Sequence, residues 1–475
     1  MKKTIFFIIK NVIVRIMNNE AKSFYKSLSY IVGPMALQNL ISAAVNSADV
    51  IMLGFVGQTA IASVSLASNV AFILFMISTG LSSGLVMLGA QYWGKKDTES
   101  IQTLFGIALR ICCSIEICIA LVAAIYPRIL MRIFTNDPTM IAEGCKYLRA
   151  VSVSYVCLSF AQMYQAAFKS IERVKIVTIC STATLFLNIG LNAVFIFGLF
   201  GVPKMGVIGV GIATSIARFM EMVFCFIYAA YQKDVRFSIT CIFKRNKILF
   251  RDFFKYSMPA VGNELVWGAA FAMYSVIMGH LGEDIVAANS VVSTVRQLAT
   301  VLCFGMAYGG AIVLGKDMGA GRMDVAERNA SRLARVTILS GVLGCVLMLC
   351  LYPILPFIAE LNETAAHYRN VLLFINAYSI IGAAANTVLI CGIFRAGGDS
   401  KFGFIADTIF MWFISVPLGL LSAFVFKLPP LWVYFVLYLD EFIKLPIVIR
   451  HYFKKGWLKN ITREVSPNME LSLPN

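Results

Sequence analysis

The sequence predicts an all-α integral membrane protein of twelve transmembrane helices, built as two six-helix bundles related by a pseudo-two-fold axis along the membrane normal. Three observations lead there. Of the 475 residues, 59% are apolar and only 14% charged, against about 25% charged in a typical soluble domain. Basic residues recur in every second connection between apolar segments. The second half of the chain repeats the first at a fixed offset. With a mean hydropathy of +0.79, this composition excludes a disordered chain, a secreted disulfide scaffold and an ordinary cytosolic enzyme.

A membrane-spanning helix takes about 20 apolar residues, so a chain of this length holds roughly 12 to 16 spans. Twelve segments read as spans: 31–54, 64–90, 102–125, 144–168, 176–199, 206–231, 257–279, 287–315, 333–353, 370–394, 403–426 and 432–450. Each stops at glycine, proline, asparagine or charge, as at Gly54–Gly57, Gly94–Asp97 and Leu428–Pro430. The stretch Ile5–Ile16 is too short and too basic to span and lacks a small-residue cleavage site, so it reads as an interfacial amphipathic helix. The twelve cysteines contain no Cys-x-x-Cys pair and mostly fall within apolar runs, where cysteine is a small buried apolar residue. With three histidines in the chain, no metal centre is expected apart from a bound coupling ion.

The net charge of +16 belongs to topology rather than to nucleic acid. One set of connections carries Lys95 and Lys96, then Lys169, Arg173 and Lys175, then the run Lys233–Lys255, then Lys316–Arg335, then Arg395 and Lys401, and finally Arg450–Arg463. The other set holds only Arg128, Arg132, Lys146, Arg149, Lys204, Arg369 and Lys427. That asymmetry places both termini in the cytoplasm and requires an even number of spans.

The repeat is read from glycine and proline, residues with positional meaning in a helix. Pro34 falls on Pro259, 225 residues on, and Gly54, Gly57, Gly80, Gly84 and Gly94 fall on Gly279, Gly282, Gly305, Gly309 and Gly319. One residue further out of phase, Phe168-Lys169 meets Phe394-Arg395. Six spans per repeat bring both halves in from the same side, so the repeats are parallel. The expected organisation is an N-terminal segment 1–28, a first lobe 29–231, a cytoplasmic linker 232–256, a second lobe 257–450 and a tail 451–475. Two like bundles facing across a cleft suit alternating access; a duplicated channel or scaffold is the other reading.

Membrane-embedded carboxylates mark functional sites by default. Asp49 is the only charge in the tract Ile41–Leu53. It is either a coupling group or an interfacial carboxylate reaching water. Glu264 lies about seven residues into its span, roughly 10 Å deep at the helical rise. It occupies the repeat position of Asn39, as Asn263 occupies that of Gln38. It either couples an ion or makes a structural hydrogen bond. Asn188 and Asn192 share a helix face and either glue helices together or line a cavity. Asp407 either caps its helix or pairs with Arg395 or Lys401. Arg218 with Glu221, and Lys444 with Asp440 and Glu441, have intrahelical ion-pair spacing. Trp267, Tyr274 or Tyr155 could hold a flat cation against a ring face.

These features resemble the multidrug and toxic compound extrusion (MATE) family. The resemblance rests on Pro34 with Ser47-Ala48-Asp49-Val50-Ile51-Met52-Leu53-Gly54 in the first span, and on Pro259-Ala260-Val261-Gly262-Asn263-Glu264 in the seventh. It rests also on Leu187-Asn188-Ile189-Gly190-Leu191-Asn192 in the fifth, and on Arg395-Ala396-Gly397-Gly398-Asp399-Ser400 after the tenth. It covers roughly residues 20–455. It implies export of amphipathic, often cationic compounds by antiport against protons or sodium ions, with no other cofactor. It assigns ion coupling to Asp49, Glu264, Asn188 and Asn192, and a substrate cavity to Gln38, Asn39, Asn263, Trp267, Tyr274 and Asp407. One departure stands out: the tenth span, Asn370–Phe394, has no acid and offers Asn376, Tyr378 and Asn386 instead.

A sodium ion needs several hard oxygen ligands, which Asp49, Asn188 and Asn192 could supply together; a proton needs one carboxylate. The proton is the favoured coupling ion, taken up by Asp49 from outside as substrate leaves. The expected partners are small-molecule substrates and membrane lipid, not nucleic acid, for a monomer in a bacterial inner membrane. The chain carries no Walker motif and no catalytic constellation, so it reads as no enzyme. The alternatives are a flippase for lipid-linked oligosaccharides and a facilitator. The flippase would usually have more spans, and Gly94-Lys95-Lys96-Asp97 lacks the facilitator loop pattern.

Overall fold

The computed structural model describes residues 19–54, 56–358 and 361–463; the side chains of residues 19, 43–51, 53, 54, 58, 357 and 358 fall outside that description. The expected interfacial helix Ile5–Ile16 lies outside the described residues, as does the Asp49 side chain. The described chain is helical without strands. The first lobe contains α1 (Asn19–Gly54), α2 (Gln58–Lys95), α3 (Thr98–Ile125), α4 (Pro138–Ser170), α5 (Val174–Phe197) and α6 (Gly206–Tyr231). The second contains α7 (Lys247–Gly279), α8 (Glu283–Gly319), α9 (Met323–Leu351), α10 (Glu363–Thr387, continued by π-helical turns Val388–Phe394) and α11 (Ser400–Asp407, continued to Val425). The last rod, α12, comprises three short helices, Pro430–Leu437, Asp440–Ile443 and Leu445–Phe453.

Among the described residues, nine of these helices are long and apolar enough to cross a membrane. α1, α4 and the broken α12 complete twelve rods. α4 is less apolar because it carries inward-facing polar groups, Gln162, Gln165 and Lys169, and α12 is divided into pieces each too short to cross alone. The twelfth span was expected as one helix over 432–450. It breaks at Tyr438–Leu439 and again at Lys444, where Pro446 lacks the N–H that a continuous helix would need. Most helices overrun their apolar spans and end on local devices. Asp97 accepts from the Ser100 N–H at 3.0 Å to start α3. Asn246 accepts from the Ile248 and Leu249 N–H groups, both at 3.0 Å, to start α7; such caps contribute about 1 kcal/mol each.

The two lobes pack by one motif used twice. α1 lies against α8 as α7 lies against α2, and α2 meets α8 between them. The glycines of the repeat make this approach possible. A Cβ on Gly80 would strike the Val261 backbone, and one on Gly84 would strike Ser257 Oγ. Their counterparts Gly305 and Gly309 face Val32, with a Gly309 Cβ 2.9 Å from Val32 Cγ2. Val32 is itself the repeat position of Ser257. Lower still, Gly94 abuts the Lys316 carbonyl and Gly319 abuts the Gln91 carbonyl, a reciprocal pair. Pro34 and Pro259 sit inside α1 and α7 at equivalent places, and each removes one backbone hydrogen bond beside this interface.

All these glycine contacts lie in the half of the helices nearer the face that carries the linker and the chain after α12. That face is further tied shut. Gln91 Nε2 donates to the Ala396 carbonyl at 2.7 Å and to the Lys459 carbonyl at 3.1 Å, while its Oε1 accepts from the Ile461 N–H at 2.8 Å. Arg463 pairs with Asp252 at 2.7 Å, and Lys316 with Glu172 at 2.6 Å. With this face sealed, the cleft between the lobes leads toward the opposite face.

Candidate functional site

The cleft holds a cavity of about 530 Å³ walled by both lobes. α1 contributes Met35, Gln38, Asn39 and Ser42; α7 contributes the repeat-related Asn263 and Glu264, with Trp267 one turn on. α4 presents one face, Leu158, Ala161, Gln162, Gln165 and Lys169, at the three- and four-residue spacing of a helix.

The second-lobe wall is a continuous chain of buried charges. Arg395, at the end of α10, donates from Nη1 to Glu264 Oε1 at 2.9 Å and to Ser83 Oγ at 3.1 Å. Its Nη2 donates to Asn263 Oδ1 at 2.6 Å. Ser83 belongs to the first lobe, so this guanidinium spans the interface. Asn263 Nδ2 then donates to Asp407 Oδ2 at 2.6 Å. Lys444 lies 3.3 Å from Asp407 Oδ1 and 3.2 Å from Glu441 Oε2. Asn386 Nδ2 donates to Glu441 Oε2 at 2.7 Å and closes the chain onto α10. Buried charges persist only when paired and hydrogen-bonded, and each member here has such partners. The wide π-helical turns of α10 and α11 begin just after Asn386 and Asp407, a common feature of functional sites.

The first-lobe wall is built differently. Glu221 on α6 accepts from Arg218 at 2.7 Å, Gln165 at 2.8 Å and Ser181 at 3.2 Å. Behind the wall, buried Glu116 on α3 accepts from Ser78 and is approached by the Cys112 thiol at 3.7 Å. Lys169 faces the cavity with Glu221 as its electrostatic neighbour and lies within ion-pair or side-chain hydrogen-bond distance of none of the described residues. Outside the spans, Arg173 bonds Asp234 and holds its carboxyl below the usual range.

Several expected site residues come together here: Gln38, Asn39, Asn263, Glu264, Trp267 and Asp407 all line the cavity. Asn188 and Asn192 do not; they bond one another at 3.4 Å on α5, which reaches the cavity at Ser181 and Leu185. Tyr274 is corrected. It lies two turns beyond Trp267, buried in the outer core between Phe271 and Tyr438. Tyr155 is likewise buried in the first-lobe core. Asp407 takes Lys444 and Asn263 as partners instead of Arg395 or Lys401, because Arg395 turns to Glu264. The expected ion pairs Arg218–Glu221 and Lys444–Glu441 form, but as parts of the cavity wall. Acids absent from α10 arrive instead from α11 and α12. Lys169, Arg395 and Gln165 are not singled out for the site by sequence, and Asn386 only as a neutral group on the acid-free tenth span. The in-register pair Phe168-Lys169 and Phe394-Arg395 is the signal that marked two of them.

Two six-helix lobes enclosing a charged, membrane-depth cavity define the architecture of a polytopic membrane transporter. The MatE family model matches residues 34–194 and 259–421, one stretch in each lobe. The chain belongs to the MatE family. It is 24% identical over 427 residues to the probable multidrug resistance protein NorM of Rhizobium meliloti, covering 88% of this chain and 90% of that one. It is 22% identical over 437 residues to the uncharacterized transporter YisQ of Bacillus subtilis, covering 91% and 95%. Its fold is that of the Vibrio cholerae MATE transporter VcmN, with a TM-score of 0.84 at 17% identity over 93% of this chain and 100% of that one.

Proposed function

We propose that the protein is a proton-coupled antiporter that exports amphipathic, often cationic compounds by alternating access. We place it as a monomer in a bacterial inner membrane, with the linker face in the cytoplasm. The observation that carries this reading is Arg395. It is held by Glu264 and Asn263 in its own lobe and by Ser83 in the other, so the charge state of Glu264 bears directly on the lobe interface. A proton on Glu264 weakens its hold on Arg395 and with it the Ser83 tie. The second-lobe acids already face Arg395 and Lys444. A sodium ion would have to displace one of these cations, whereas a proton adds to a single oxygen. In the first lobe, Asp49 takes up the ion from outside as substrate leaves. Coupling requires that the ion prefer the conformation that binds substrate poorly.

The deciding experiment is ethidium flux in proteoliposomes with proton and sodium gradients imposed separately. Uptake against its gradient driven by a proton gradient alone is expected. Flux driven only by sodium at clamped pH reverses the choice of ion, and flux indifferent to both gradients removes the antiporter reading.

A further inference from the structure

The two helices that open the lobes carry the same kind of surface at their linker-side ends. α7 starts ten residues before its apolar stretch 257–279. Nearly three turns, about 15 Å of helix, therefore run out of the hydrocarbon core and through the headgroup layer. Leu249, Asp252 and Phe253 are buried on one side of these turns. The other side exposes Lys247, Phe250, Arg251 and Phe254, at the three- and four-residue spacing of one helix face. The two phenylalanine rings stack on each other, with centroids 6.5 Å apart. α1 repeats the arrangement. Phe24 and Leu28, the counterparts of Leu249 and Phe253, are buried. Lys22 and Lys26, the counterparts of Lys247 and Arg251, are exposed, with Tyr25 half-buried between them and Tyr30 exposed one turn on. The acids Glu20, Asp234 and Asp252 pair elsewhere, with Arg328, Arg173 and Arg463. Among the described residues, Lys22, Lys26, Lys247 and Arg251 have no acidic partner. In the linker, Ile239 and Phe243 are exposed as well, with exposed Arg236 and Arg245 flanking them in sequence.

We propose that these two faces bind anionic phospholipid of the leaflet on the linker side. The ammonium and guanidinium groups meet the phosphate, and the rings lie against the glycerol and the upper acyl chains. The general excess of cations on one side of a membrane protein accounts for the charge. It does not account for rings set between the cations at helical spacing in both lobes. Basic side chains interleaved with aromatic ones are the composition of a surface that lies in the bilayer interface. Each basic residue near an anionic leaflet adds about a fivefold preference. A soluble phosphate would engage the cations and leave the rings in water, so the ligand has both a charged head and an apolar body. Lipid held in this way anchors the linker-side ends of both lobes to one leaflet.

The test uses the purified full-length protein, immobilised in detergent and incubated with equal amounts of phosphatidylglycerol and phosphatidylcholine. Lipid that elutes with the washed protein is quantified by mass spectrometry. Phosphatidylglycerol should be enriched about tenfold or more, as a few basic residues at about fivefold each imply. Lys247→Gln with Arg251→Gln should lower the enrichment, and adding Lys22→Gln and Lys26→Gln should bring it close to one. Arg128→Gln with Arg132→Gln, an equal loss of charge in the connection between α3 and α4, should leave it unchanged. Phe250→Ser with Phe254→Ser should reduce the phosphatidylglycerol retained. Washing the parent protein in about 0.5 M potassium chloride should also collapse the enrichment, because salt screens exposed charges; this arm needs no variant to fold. No enrichment in the parent overturns the proposal, as does enrichment that survives the fourfold variant or the salt. An equal fall with Arg128→Gln and Arg132→Gln removes the assignment to these faces. Retention unchanged by the two serines means a soluble phosphate site and overturns the lipid surface. None of these outcomes depends on the coupling ion, which ethidium flux tests separately.

Discussion

At Arg395, one side chain serves three partners, and its loss has two separable effects. The guanidinium is 3% exposed and its partner Glu264 12%, so Arg395→Met leaves a carboxylate uncompensated, which costs about 3–5 kcal/mol. A marked drop in thermal midpoint is expected; an unchanged midpoint means that the pair is not buried in membrane-embedded protein. Glu264→Gln keeps size and hydrogen bonding while removing the titratable charge. It leaves the buried Arg395 guanidinium without its counter-charge, so a lowered thermal midpoint is expected together with flux uncoupled from the proton gradient. Full coupling would reduce Glu264 to a structural hydrogen-bond acceptor. Asp49→Asn should likewise abolish gradient-driven efflux, and efflux that survives with a normal pH profile makes Asp49 an interfacial group. Much of this site was readable from residue type alone, because carboxylates and amides within apolar runs are rare enough to stand out. The basic half was missed for a geometric reason. The apolar spans were ended at Phe168 and Phe394, one residue short of Lys169 and Arg395. Both basic residues were therefore read as connections, although their helices carry them into the cavity.

At the scale of elements, contacts between helices decide what a substitution does. Gly319 touches the Gln91 backbone carbonyl, which cannot swing aside as a side chain can. Gly319→Val should destabilise the sealed interface by about 1–3 kcal/mol, the usual range for overpacking. A single-cysteine variant at Met87 in a cysteine-free background would report this as faster thiol labelling from the linker side. Unchanged labelling would show that the close approach does not form the seal. The linker carries a pH-sensitive tie of its own. Asp234 is held below the usual carboxylate range by Arg173, so its stabilising effect is present above that range and fades as pH falls through the depressed value. Asp234→Asn should therefore lower thermal stability near neutrality and remove part of its decline in acid, as read from melting curves across pH. Helix existence and order were legible because apolar length and glycine punctuation are local signals. The break in α12 was not. Asp440, Glu441 and Lys444 have the spacing of an intrahelical cluster, and only tertiary packing against Asp407 and Asn386 shows that the rod opens to present them.

Over the whole molecule, the internal repeat carries most of the architecture. The glycines aligned in sequence are those at which the lobes touch, and the helix pairs α1–α8 and α7–α2 exchange under it. The repeat also aligns Asn39 with Glu264, a departure from symmetry in residue type; what it could not supply is which partners each side chain takes, such as Arg395 turning to Glu264. The order of synthesis adds a further constraint. Gln91, deep in the first lobe, finds three of its hydrogen bonds on Ala396, Lys459 and Ile461, which a ribosome makes some three hundred residues later. Until then its amide lacks these three partners. The seal is thus an assembly checkpoint as well as a gate: the two bundles enter the bilayer in sequence, and the closed face can be completed only after the twelfth rod has been delivered.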